Sequence, residues 1–257
     1  MRALLRLRAE SDAVYETAYH HKLRGAIWRR LQDTPYAELH DDSESVSFAF
    51  SNPFPGVDIS EGDDRKVLIA SPHTGLIETL TDAIEHTEEF NIGEMAFSVD
   101  GITSFGVDVG EPGTRGRLRT DTGVYVRLPR EQWGEYGINP EYAAEEISWT
   151  PDYSVGLFLQ RVRENLAWKH ETVLDDYLQN LTPETELFDG IEPQKTYAIS
   201  VPVSSGAGYE YTFVVTKWLF GYRVRNKDHR RWLNLLLDAG IGWRNSLGFG
   251  FVNKVSA

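Results

Sequence analysis

Along the first eight residues, Ala3, Leu5 and Leu7 alternate with Arg2, Arg6 and Arg8. A period of two puts the apolar set on one face of a strand and the basic set on the other. The period then lengthens: Tyr19, Leu23, Ala26, Ile27 and Leu31 recur at helical spacing and predict a helix over 13–31. Val46 to Phe50 alternates again and ends at the turn-rich Asn52-Pro53-Phe54-Pro55-Gly56. A third strand is predicted over 66–70, and Leu76, Ile77, Leu80 and Ile84 mark a second helix. A fourth strand or hairpin over 95–99 and 102–109 completes the order βαββαβ, which is the ferredoxin-like arrangement.

Glu111-Pro112-Gly113 reads as a linker, after which the same order recurs. A strand or hairpin over 117–128 turns at Asp121-Thr122-Gly123, and a long helix over 154–181 carries Leu157, Phe158, Val162 and Leu166 at helical intervals. Strands over 196–203 and 211–224 flank the flexible Ser204-Ser205-Gly206-Ala207-Gly208. Trp232, Leu235, Leu236 and Ala239 form one stripe of a short helix that stops at Gly240, and a strand over 249–255 closes the unit. The expected architecture is α+β, with tandem ferredoxin-like units over 1–112 and 113–257.

Composition narrows the chemistry. At 257 residues and 41% hydrophobic, the chain can bury one large or two small cores. No run approaches the roughly 18 to 20 apolar residues of a membrane span, and the alternating start is unlike a signal peptide, so a cytoplasmic protein with no membrane partner is expected. Zero cysteine excludes disulfides, thiolate metal sites and a cysteine nucleophile. Histidine, carboxylates and hydroxyls remain. A net charge of −13 argues at first against a nucleic-acid partner. Its distribution reverses that reading: residues 1–40 carry seven basic against five acidic side chains, and residues 201–257 carry eight against three. Two basic ends on an acidic body suggest a local anion site.

The most informative segment is Gly240-Ile241-Gly242-Trp243-Arg244-Asn245-Ser246-Leu247-Gly248-Phe249-Gly250. Glycine permits positive φ and close approach of a ligand, and successive N–H groups can cradle phosphate oxygens. Arg244 adds charge, while Asn245 and Ser246 add hydrogen-bonding groups for sugar or phosphate. At the entry to the last strand, Phe249 is expected to point inward. Gly248 and Gly250 then face outward, leaving bare backbone against the ligand. No Gly-Lys-Ser/Thr follows, so this is not a Walker loop.

Two Gly-apolar-Gly pairs just before a C-terminal strand resemble the glycine-rich loop of the RAMP superfamily of CRISPR RNA-binding proteins. Within that superfamily the chain is similar to the endoribonucleases that process precursor crRNA, which carry two ferredoxin-like units in tandem. Leu23-Arg24-Gly25-Ala26-Ile27-Trp28-Arg29-Arg30-Leu31, followed by Leu39-His40, resembles their first helix and the loop after it. Gly123-Val124-Tyr125-Val126-Arg127-Leu128-Pro129 and Glu164-Asn165-Leu166 with Lys169 match in order.

The resemblance implies that the ribose 2′-hydroxyl attacks the adjacent phosphorus, leaving a 2′,3′-cyclic phosphate and a 5′-hydroxyl. Because the nucleophile sits in the substrate, the protein must move protons and stabilise charge, and it needs neither metal nor cofactor. Histidine is suited to that transfer at neutral pH. His40 matches the family's catalytic position and His21, in the first helix, is second. RNA contacts are expected from Gly240, Gly242, Arg244, Asn245, Ser246, Gly248 and Gly250, with Lys217, Arg223 and Arg29 from the basic ends. Lys217 or Arg244 could also stabilise the phosphorane. Two features depart from the family: Trp28 stands where several relatives have a catalytic tyrosine, and Asp41-Asp42-Ser43-Glu44 where some have a lysine. His40-Asp41-Asp42 lacks the spacing of a metal site. The implied partner is CRISPR repeat RNA in the precursor transcript, with a multi-subunit CRISPR effector complex beyond it. The competing readings are a RAMP subunit of such a complex that binds crRNA without cutting, and a structural protein whose glycine loop is only a turn.

Overall fold

The computed structural model describes residues 1–40, 48–87, 89–139, 146–173, 186–202 and 210–255, with only the backbone of His40, Glu146, Pro202 and Glu210. The first unit runs β1 (Arg2–Ala9), α1 (Tyr19–Leu31), β2 (Ala49–Phe50), β3 (Asp64–Ala70), α2 (Thr74–Glu85) and β4 (Phe97–Phe105). Its sheet has the order β2-β3-β1-β4, with β1 antiparallel to both β3 and β4. The second unit runs β5 (Arg115–Thr120), β6 (Arg127–Pro129), β7 (Glu146–Ser148), α3 (Val155–Val173), β8 (Gly190–Pro202), β9 (Glu210–Arg223), α4 (Lys227–Ala239) and β10 (Val252–Val255). Its main sheet, β10-β5-β9-β8, repeats the first order strand for strand, and β6 and β7 form a separate ribbon inserted after β5. The expected tandem of two ferredoxin-like units is therefore present.

The alternation that opens the chain explains the first core. Leu5 and Leu7 of β1 pack with Val67 and Ile69 of β3 beneath Leu23 and Ile27 of α1 and Leu76 and Leu80 of α2. In the second unit Leu118, Trp218 and Phe220 lie beneath Phe158, Val162 and Leu166 of α3 and Leu233 and Leu236 of α4.

Several boundaries differ from the sequence pattern, each for a physical reason. The first helix starts at Tyr19 rather than 13, because the Ala13 and Ile59 backbones exchange two hydrogen bonds that hold the segment extended. β4 is one strand with a register shift opposite Arg6 and Leu7, not a hairpin. β5 leaves its sheet at Thr120, and β6 pairs with β7 instead of folding back on β5. α3 begins where the Ser154 hydroxyl accepts from the Leu157 N–H; the predicted remainder, 174–181, lies outside the described residues. β8 reaches back to Gly190 through an irregularity at Pro193, which hid it from a periodicity reading. Val46-Ser47 and the predicted turn 204–208 also lie outside the described residues.

The two units meet at the end of α4. Arg2, almost wholly buried, sends its guanidinium from β1 to the carbonyls of Leu237 and Val252, each at 2.7 Å, and to the Asn253 side chain. Burial draws its pKa down to about 10, against the opposing pull of Asp238 and Asp121. Its charge also lies 5.1 Å from the centre of the Phe251 ring, which packs on Ala49, Ala70 and Leu68 of the first sheet. Beside it, the Met1 ammonium pairs with Asp238 at 2.8 Å. Among the described residues, no helix is long and apolar enough to cross a membrane.

Candidate nucleic-acid interface

α4 ends at Ala239, and the chain turns through Gly240, Gly242, Arg244, Gly248 and Gly250, all at positive φ. A segment with so many left-handed residues cannot join a strand, so β10 starts at Val252 rather than at Phe249 as the alternation suggested. The Ile241 N–H donates to the Gly250 carbonyl at 2.9 Å and closes the two Gly-apolar-Gly arms on each other. Trp243 N–H donates to the Tyr125 carbonyl and Gly250 N–H to that of Gly123, fastening the loop to the segment after β5.

Inside the closed loop lies the ammonium of Lys169, a fully buried group from α3. It donates to the Gly240 carbonyl at 2.7 Å, the Gly242 carbonyl at 2.9 Å and Asn245 Oδ1 at 2.7 Å, with the Ala239 carbonyl at 3.4 Å. Three close acceptors match the three N–H bonds of a protonated lysine. Desolvation alone drives its pKa well below the usual lysine value, with no carboxylate opposing it. The compensation comes from carbonyls at the C-terminal end of α4, the negative end of that helix dipole.

Several expected roles change here. The Asn245 amide is spent inside the protein: its oxygen accepts from Lys169, and its nitrogen donates to the Ile241 and Phe249 carbonyls at 3.2 and 2.9 Å. It has no side-chain group left for sugar or phosphate, which corrects the expectation above. The glycines also face inward. A Cβ on Gly248 would overlap the Phe50 ring, one on Gly250 or Gly242 the carbonyl of Ile241 or Tyr125, and one on Gly240 the Asn245 side chain. Phe249 is buried as expected, but its neighbours do not offer bare backbone to a ligand. The exposed side chain of the loop is that of Arg244, while Trp243, Ser246 and Leu247 are half-buried.

Helix α1 rests against this loop. His20 Nδ1 donates to the Leu247 carbonyl at 2.7 Å, and its ring stacks on Tyr19 and lies 5.1 Å from Phe249. Burial lowers its pKa to about 4, partly opposed by that hydrogen bond. His21 is half-buried, its pKa lowered by burial and then by Lys22. Trp28 is a core residue against Phe48. The short turn Ala37–His40 follows α1, but the His40 side chain lies outside the described residues, as do Asp41, Asp42, Ser43 and Glu44. Arg29 is exposed near the end of α1.

Lys217 and Arg223 do not join the loop. Lys217, its pKa lowered by burial, lines a cleft of 540 Å³ between Ser51, Asn52 and Phe54 of the first unit and Arg119, Asp121 and Asn253 of the second. Arg223 faces solvent on the same strand, paired in register with Arg115. With Arg117 and Arg119 also exposed, β5 and β9 carry a basic sheet face that a tally of the chain's ends overlooked. Periodicity could have found it, since arginines at 115, 117 and 119 alternate as the residues of β1 do. A second omission is Trp243, whose ring lies under the charge of Arg161 at 4.9 Å and of Arg127 at 5.7 Å.

The second unit matches the family model described as "CRISPR associated protein Cas6, C-terminal" over residues 119–254. The chain is 46% identical to a CRISPR-associated endoribonuclease Cas6 of Haloferax mediterranei, over 99% of this chain and 94% of that protein. It is 26% identical to a CRISPR-associated endoribonuclease Cas6 2 of Methanocaldococcus jannaschii, over 99% of this chain and 100% of that protein. Its fold superposes on a solved structure described as "An RAMP protein binding different RNA substrates" with a TM-score of 0.72, covering 100% of both chains at 20% identity.

Two outcomes follow from the loop geometry. Gly248→Ala and Gly250→Ala each combine a positive φ with an overlap and should lower folding stability by about 2 kcal/mol or more. In thermal unfolding, any loss of RNA binding should track the lowered melting temperature; normal stability with lost binding would contradict the inward packing. His20 gives a pH dependence. Its folded pKa of about 4 lies below the ordinary 6.5, so its contribution is complete above pH 6.5 and falls as pH drops toward 4. Over that window the wild type should lose about 3 kcal/mol more than His20→Asn in urea unfolding; parallel curves would mean that His20 is not buried as a neutral ring.

Proposed function

This chain belongs to the Cas6 family of CRISPR-associated endoribonucleases, and from that membership we propose that it cuts repeat RNA in the precursor transcript with His40 as its proton carrier. The observation that carries the reading is the seat of α1 on the glycine-rich loop through His20 and the Leu247 carbonyl. That contact brings the helix preceding His40 and the loop bearing Arg244 and Ser246 to one place, so one RNA strand can meet both.

In the reaction the 2′-hydroxyl oxygen forms a bond to the adjacent phosphorus as its proton leaves, and the bond from phosphorus to the 5′ oxygen breaks. That oxygen takes up a proton, giving the 2′,3′-cyclic phosphate and the 5′-hydroxyl. His40 carries one of these protons, with His21 as the second choice. Arg244 balances charge on the phosphate, and Ser246 offers a hydroxyl to sugar or phosphate. Arg29, in the last turn of α1, and Lys217 and Arg223, on the basic sheet face, hold the backbone away from the scissile bond. An acidic chain can do this because the cations are concentrated where the strand runs, while the remaining charge repels other polyanions. Transfer of the product to a multi-subunit effector complex belongs to the same reading.

The test uses the chain with its own repeat RNA. Cleavage should persist in a metal chelator and stop when the scissile nucleotide is 2′-deoxy. His40→Ala should lower kcat by about 10²- to 10⁴-fold with RNA affinity little changed. A metal requirement in the chemical step would refute the mechanism, and full activity in His40→Ala would transfer the role to His21.

A further inference from the structure

Three buried polar side chains of α3, those of Arg161, Asn165 and Lys169, follow one another at four-residue intervals. They form one stripe beside the apolar stripe of Phe158, Val162 and Leu166. The polar stripe runs beneath the glycine-rich loop. Arg161 lies against Trp243 at one end, also donating to the Arg127 carbonyl at 3.2 Å and Gln132 Oε1 at 2.8 Å, and Lys169 ends inside the loop at the other. The cleavage chemistry above uses none of the three.

Arg244 is the residue this stripe affects most. Its φ of 59° lies in the left-handed region, which L side chains avoid unless their neighbours hold them there. Those neighbours are held: the Gly242 carbonyl, two residues before, and the Asn245 side chain, one residue after, both accept from the Lys169 ammonium. The Arg244 side chain is exposed and, among the described residues, has no ion-pair partner. An unpaired surface cation on a constrained backbone is suited to a phosphate.

We propose that Lys169 is a positioning residue for the substrate: by bracketing Arg244 it fixes the backbone that presents this cation to RNA, so Arg244 contributes to binding only while Lys169 is in place. The proposal rests on the reading of Arg244 as an RNA contact, and it assigns Lys169 no part in proton transfer. Loss of the ammonium leaves the Gly240 and Gly242 carbonyls without their donor, and the loop relaxes away from the left-handed turn at 244.

A double-mutant cycle tests it, with a non-cleavable repeat RNA that is 2′-deoxy at the scissile nucleotide. In the wild-type background Arg244→Ala should weaken binding roughly tenfold, the usual order for a charge-assisted contact. In the Lys169→Met background the same change should cost less than about twofold, because the contact is already gone. With cleavable RNA, Lys169→Met should raise KM and leave kcat within about threefold, since the proton carrier is elsewhere. An equal cost of Arg244→Ala in both backgrounds overturns the positioning role, as does a fall in kcat at unchanged KM, which reports only a smaller folded fraction. No effect of Arg244→Ala in either background overturns the RNA-contact reading and the proposal with it. If Lys169→Met does not melt cooperatively, Lys169→Gln, whose neutral amide ends one bond short of the ammonium position and cannot serve all three acceptors, carries the same cycle and the same outcomes.

Discussion

Two buried cations converge on the carboxyl end of α4, and neither has a carboxylate as its close partner. Lys169 arrives from α3 in the second unit and Arg2 from β1 in the first. Both are received by backbone carbonyls, which a helix leaves unpaired in its last turn and which carry the negative end of its dipole. A buried charge would ordinarily cost several kcal/mol, so such an arrangement persists only where hydrogen bonds replace the lost water. Here they do, and the rest of the structure depends on the result. Arg2 joins the sheets of the two units, while Lys169 sets the path by which the chain leaves α4 and turns toward β10.

The glycine-rich loop then has a different meaning from the one its composition suggests. Its glycines are required because the chain folds back on itself around an ammonium, with Phe50 and the Tyr125 carbonyl close outside. Permissive φ and the absence of Cβ are used for internal packing. On the proposed reading, the surface that remains for RNA is made by side chains, with the exposed Arg244 foremost. This division suits a strongly acidic protein, in which affinity for a polyanion depends on a few cations held at fixed places.

Much of this was legible in the residues alone. Both βαββαβ orders follow from alternation and helical spacing. What escaped has a common cause. The late start of α1, the bulge at Pro193 and the inward turn of Gly248 are set by partners distant in sequence, namely Ile59, the β9 strand and Phe50. The role of Asn245 was misread for the same reason, since an amide between glycines appears free until Lys169 is brought to it from 76 residues away. The stripe of Arg161, Asn165 and Lys169 was visible as spacing, but only burial shows that it faces the loop.

Residues 240–250 form a loop closed on a buried ammonium and as rigid as the core beneath it. Amide hydrogen exchange tests it most directly. The amides of Ile241, Trp243 and Gly250, each bonded to a carbonyl within or beside the loop, should exchange only through global unfolding, at the rate of amides in the core strands β5 and β9. Exchange of those three amides within roughly tenfold of the unstructured rate, while β5 and β9 stay protected, would mean that the loop opens freely, and the account would be wrong.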